Sequence, residues 1–185
     1  MRITSWLAGG RTLGLSLSVL LSILQVAMVE ARAGVADTQE GREIIGHYIY
    51  YFARNVDWPE TVFKSSGSPF WVCMVGKESL GLEVSKRLQK GRVGRHRIRL
   101  KHFNLDQLGG LRQCQIVFID ETHAHTIKEI IKPLDNLPIL TVSDAEGFAA
   151  QGGMVGFVGR GKQVAMQLNR TVIERAQLKL GALLQ

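Results

Sequence analysis

The sequence predicts an α/β fold: a single domain with a mixed, mostly parallel sheet, flanking helices and a C-terminal antiparallel hairpin. Short apolar runs beginning at Phe70, Cys114 and Pro138 are rich in β-branched residues and read as buried strands. Stretches with helical spacing separate them, and strands that alternate with helices imply parallel neighbours joined by crossovers. Met154–Val158 and Gln163–Leu168 are two further strand patterns, and Arg160-Gly161-Lys162 between them is a hairpin turn candidate.

Ahead of this domain, residues 1–33 read as a secretory signal peptide. Arg2 and Arg11 place positive charge before an apolar run from Leu13 to Val29, and Ala31-Arg32-Ala33 is an A-x-A cleavage pattern. An uncleaved anchor is the other reading, but the run falls slightly short of the roughly 20 apolar residues a span needs. Cleavage leaves residues 34–185, enough for one sizeable core. The formal charge is +7 over the whole chain. Without Arg2, Arg11, Arg32 and Glu30 it is about +5, a weak preference for acidic partners or anionic envelope surfaces. An exported protein meets little nucleic acid, so none is expected as a partner.

Taken in order, Gly34–Gln39 is a polar linker. Glu40–Val56 is the first helix, with Ile44, Ile45, Tyr48, Tyr51, Phe52 and Val56 at helical spacing, and Trp58-Pro59 is expected to end it. The aromatic stripe is either a core face or a partner groove. Lys64–Pro69 is a loop, Phe70–Val75 a strand and Leu80–Gln89 a helix. No G-x-G-x-x-G follows Gly76, so a phosphate cradle has no support there. Lys86–His102 holds eight basic residues and no acid. Arg95, Arg97, Arg99 and Lys101 alternate with His96, Ile98, Leu100 and His102, the pattern of an edge strand whose charged face resists aggregation. Asn104–Gly110 is a loop, and Cys114–Ile119 is the next buried strand.

Asp120, His123 and His125 follow at a carboxyl strand end, where open α/β sheets tend to bind ligands. The His-x-His spacing suits a metal poorly if a helix starts here, because residues two apart do not share a helical face. A helix over Thr126–Lys132 leads to the strand Pro138–Val142. Ser143-Asp144 then offers an N-cap for a short helix through Gly147–Ala150, and Gln151-Gly152-Gly153 needs positive φ. The last helix is expected over Arg170–Leu184, capped at Thr171 with Glu174 completing a capping box. Val172, Ile173, Ala176, Leu180, Leu183 and Leu184 form its buried side.

Cys73 and Cys114 both sit in apolar strand patterns. In an oxidising compartment they either bridge neighbouring strands or remain two core thiols. A bridge would contribute roughly 4 kcal/mol at most by loop entropy. Enzyme chemistry finds no anchor: no G-x-S-x-G elbow and no H-E-x-x-H occurs, and neither cysteine lies in an exposed, thiolate-favouring context. No cofactor or metal site is expected.

The order of LTVSDAEGFAAQGGM, a strand ending at Asn169, the run Ile173–Leu184, the segment Tyr51–Pro59 and Val72–Gly76 resembles the YfiR-type family of periplasmic regulators. The resemblance spans most of the chain past residue 45. It implies that the protein holds an inner-membrane diguanylate cyclase inactive through the cyclase's periplasmic sensor domain, controlling cyclic-di-GMP. It also supports the Cys73–Cys114 bridge. It suggests partner contacts at Tyr48, Tyr51 and Phe52 and at Gly152, Gly153 and Met154, and is compatible with a homodimer. A second cysteine pair of the characterised type, near Gly147–Met154, is absent here. Relatives also extend the last helix further. The competing expectation is a periplasmic small-molecule sensor or transport-associated binding protein, with its pocket near Asp120, His123 and Asp144.

Overall fold

The computed structural model describes residues 34–160 and 163–181. Expectations for the leader, for Gly161-Lys162 in the hairpin turn and for Leu183 and Leu184 lie outside them. A 3-10 turn at Val35–Asp37 precedes helix α1, Gln39–Asn55, which Thr38 caps by accepting the Gly41 N–H at 2.9 Å. Strands β1 (Val56–Asp57) and β2 (Phe70–Val75), helix α2 (Glu78–Leu88), and strands β3 (Arg92–Val93) and β4 (His96–Phe103) follow. A 3-10 segment, Leu105–Gln113, leads to β5 (Ile116–Ile119), and another, Glu121–Thr126, to α3 (Ile127–Ile131). The chain ends with β6 (Leu140–Ser143), β7 (Val155–Arg160), β8 (Gln163–Leu168), α4 (Arg170–Arg175) and β9 (Lys179–Leu180).

The main sheet has seven strands in the order β3-β4-β2-β5-β6-β7-β8. The five central strands are parallel; β3 and β8 pair antiparallel at the edges. This is the mixed sheet the alternating pattern predicts, and β7–β8 is the expected hairpin. Alternate residues of the central strands feed opposite cores, as in parallel sheets covered on both faces. Phe70, Val72, Met74, Ile116, Phe118, Leu140 and Val142 pack with Ile45, Ile49 and Phe52 of α1 and Leu80 and Val84 of α2. Cys73, Val75, Val117 and Ile119 pack with Ile127, Ile130 and Ile131 of α3 on the other side. On β4, His96, Ile98 and Phe103 are buried while Arg97, Arg99 and Lys101 are exposed, so the basic stripe lies on the solvent face; the strand is not the outermost one expected, since β3 pairs outside it at His96 and Arg97.

Cys73 and Cys114 are bonded, with Cα atoms 6.0 Å apart. Cys114 lies two residues before β5, which runs beside β2 in register Cys73↔Val117. The bridge therefore ties adjacent strands and closes the whole excursion through α2 and β4.

The C-terminal expectation needs correction. The last helix stops at Arg175, not Leu184. Gln177 takes φ 59, Leu178 N–H donates to Ile173 O at 3.2 Å, and Gln177 N–H to Glu174 O at 2.9 Å. This is a Schellman closure, with buried Ile173 and Leu178 at its two apolar positions. The chain then reverses, so Lys179 and Leu180 pair with Asp57 and Val56 in a small separate sheet. That pairing also ends α1 at Asn55, ahead of Trp58-Pro59, because Val56 turns extended to meet Leu180. The cap of α4 is Asn169, whose Oδ1 accepts the Val172 N–H at 3.2 Å, rather than Thr171.

Gly147–Ala150 is a turn and not a short helix, and Ser143 and Asp144 cap nothing helical. Ser143 Oγ instead accepts the Ala145 N–H, and Thr141 Oγ1 accepts the Met154 N–H at 3.1 Å. Asn169 Nδ2 reaches back to Ala149 O at 2.8 Å. The segment after β6 is thus a turn held by the side chains of Thr141, Ser143 and Asn169.

Candidate functional site

Three parallel strands deliver polar residues to one end of the sheet. β4 adds to one side of β2 and β5 to the other, so the chain changes direction at the carboxyl ends of β2 and β5. Such switch points are where open α/β sheets form ligand crevices. Gly76 leaves β2 at φ 127, and a Cβ there would fall 2.1 Å from Asp120 Cβ, so glycine is required where the two strand ends converge. Asp120, Glu121 and Asp144 then surround the crevice, with Lys77 facing them from the start of α2.

The crevice is filled by the chain itself. Val35 and Ala36 are buried in it. Ala36 N–H donates to Asp144 Oδ2 at 2.8 Å and Glu121 N–H to Asp144 Oδ1 at 3.0 Å. Lys77 forms ion pairs with Asp37 and, at 3.4 Å, with Glu121. Arg42 clamps the segment by donating from Nη1 to Ala36 O and Asp37 O, both at 2.9 Å. Gly41 accommodates it, since a Cβ there would lie 1.8 Å from Val35 O. The hydrogen bond from Lys77 holds the Asp37 carboxyl below its usual range. Burial pushes Asp144 up, as does the Asp120 charge, against the two backbone N–H groups that favour its ionised form. Burial followed by the charges of Asp37 and Asp144 raises Glu121. Asp120 Oδ1 accepts from Thr122, while Oδ2 is buried with no hydrogen-bond partner among the described residues. His123 is half-buried and His125 exposed on the following turn, and no three His, Cys, Asp or Glu among the described residues are placed to hold a metal ion.

The residues expected at a partner surface separate by depth. Phe52 is 0% exposed and lies 6.5 Å from the Phe157 ring, and Tyr48 also packs on Phe157, at 5.6 Å. Tyr51 instead faces outward with His47, Tyr50, Arg54 and Asn55, which together line a shallow hollow of about 340 Å³. Arg54 Nη1 donates to Tyr50 Oη at 3.2 Å. His47, Tyr50, Tyr51 and Arg54 follow the i, i+3, i+4, i+7 spacing of one helix face. The spacing was present in the sequence, but a stripe chosen for apolar residues passes over it.

Met154 is 2% exposed and Gly153 is buried; Gly152 is half-buried at φ 102. A Cβ on Gly153 would fall 2.1 Å from the Phe148 ring, which is fully buried. Gly153→Ala should therefore lower the thermal midpoint by roughly 3–8 °C, through an overpacking cost of about 1–3 kcal/mol. An unchanged melting curve would show that the ring can yield at this position.

The domain is a disulfide-linked α/β fold whose strand-end crevice is occupied by its own Val35–Asp37 segment. The YfiR/HmsC-like family model matches residues 43–185, and the chain belongs to that family. Its members are periplasmic regulators. No curated protein matches the chain. No helix among the described residues is long and apolar enough to cross a membrane.

Proposed function

We propose that this protein is exported, loses residues 1–33 and represses an inner-membrane diguanylate cyclase by binding the cyclase's periplasmic sensor domain. Family membership across residues 43–185 is the observation that carries this reading. Repression works as a population shift: a regulator that binds the inactive sensor state more tightly holds the enzyme there. The contact surface is the outer face of α1 around Tyr51, with Tyr48 at its margin and Phe52 shaping it from beneath. Half-buried Gly152 contributes a second edge, with Gly153 and Met154 buried beneath it. Tyrosine and arginine at this face are the residue types that concentrate interface energy.

Deleting the gene should raise cellular cyclic-di-GMP, and the processed protein used as bait should retain a membrane-bound cyclase from a detergent extract. An unchanged cyclic-di-GMP level would overturn the proposal. The small-molecule alternative draws no support from the strand ends near Asp120, His123 and Asp144. Val35 and Ala36 occupy that space, and both Asp144 oxygens are already bonded to backbone N–H groups.

A further inference from the structure

Gly34 is the residue that the leader reading makes the new N-terminus, and it sits on the rim of the strand-end crevice. Its backbone nitrogen donates to Asp37 Oδ2 at 3.0 Å. Glu121 packs directly on it: a Cβ at Gly34 would fall 2.3 Å from Glu121 Oε2. Behind them lie Asp144 and Asp120, so four carboxylates surround a space where Lys77 is the ion-pairing cation among the described residues. Asp120 is only 1% exposed and keeps one oxygen without a partner among the described residues. Arg42 also borders the cluster but spends its hydrogen bonds on the carbonyls of Ala36 and Asp37, so a buried carboxylate oxygen left unbonded there marks room for a further cation. Burial first, and the neighbouring carboxylates after it, raise the carboxyls of Glu121 and Asp144.

We propose that this cluster is the receptor for the α-ammonium group that leader cleavage creates on Gly34. Hydrolysis of the Ala33–Gly34 bond by a signal peptidase consumes one water. It leaves a carboxylate on Ala33 and an ammonium on Gly34. The amide that donated one hydrogen bond to Asp37 becomes a charged group with three donors, already in place beside Asp37 and Glu121. Processing thereby locks the Val35–Asp37 plug, and with it the start of α1, whose outer face is the proposed contact surface. Glycine suits position 34 because a side chain would strike Glu121.

The inference rests on the leader reading, and the test separates the two. Mass spectrometry of the exported protein decides whether the chain starts at Gly34. Independently, purified protein with an authentic Gly34 start is compared with one carrying two neutral residues ahead of Gly34, each with and without Glu121→Gln. The Gly34-start protein should melt about 4–8 °C above the extended one at pH 7. Glu121→Gln should remove most of that difference while leaving the extended protein unchanged or slightly more stable. The advantage should also fade as the pH rises through the α-amine's folded-state pKa. A paired α-amine titrates above its ordinary value near 7.7–8, so its contribution is full below that value and lost above the raised one. Equal melting of the two starts, or a difference that Glu121→Gln leaves intact, would overturn the proposal whatever mass spectrometry shows.

Discussion

Replacing Cys73 and Cys114 together by alanine should lower the midpoint of thermal unfolding by roughly 8–16 °C. The bridge spans 41 residues of sequence. Cross-linking a loop of that size removes about 4 kcal/mol of chain entropy from the unfolded state, and each kcal/mol moves the midpoint by about 2–4 °C at this chain length. Nearly all of the effect should arise in the unfolded ensemble, because both half-cystines are buried and alanine fits the space with a small cavity. Single substitutions would add a free thiol and cloud the result, so the double variant is the cleaner measurement. The same burial bears on redox control. With both sulfurs inside the core between β2 and α3, a reductant reaches them only when that face opens. Reduction of the native protein by dithiothreitol should therefore be slow and should accelerate with denaturant. Fast reduction in native buffer, or a midpoint change under about 3 °C, would show that the bridge is peripheral to stability.

The middle of the sheet was legible in the sequence because β2, β5 and β6 are buried on both faces and so read as unbroken apolar runs. Phe70–Val75 falls on its observed bounds for that reason. The basic strand was legible too, since its period-two alternation is the mark of a single exposed face. What escaped was set by single backbone atoms. Gln177 closes the last helix with a left-handed residue that is not glycine, so nothing in composition separates Leu180 from a continuing helix. The pairing of Val56 with Leu180 joins residues 124 apart in sequence, a contact no local pattern announces. Ser143 and Asp144 have the chemistry of a cap, but they spend it on Ala145, Ala36 and Glu121. The polar linker before α1 was the deepest miss. Gly34–Asp37 carries too few apolar side chains to signal burial, yet its backbone completes the strand-end crevice.

Truncating Phe52 and truncating Tyr51 should have opposite signatures, and the contrast tests the proposed contact face. Phe52 is fully buried against Phe157 and Tyr48. Phe52→Ala removes a large core side chain and should cost about 3–5 kcal/mol, a large share of the stability a domain of this size has. Its melting midpoint should fall by about 6–20 °C, and any loss of repression would then follow from the fold rather than from a missing contact. Tyr51 lies half-exposed beside Tyr50 and Arg54. Tyr51→Ala should leave most of the stability in place and weaken partner capture about tenfold or more, the penalty typical of an aromatic anchor at an interface centre. Melting curves separate the two variants, and binding to the detergent-solubilised cyclase scores them. A folded Tyr51→Ala protein that still bound with unchanged affinity would remove the outer face of α1 from the contact. The Gly152-Gly153-Met154 turn would then be the surface to examine, through its half-exposed neighbour Gln151 rather than Gly152, whose φ of 102 penalises any side chain.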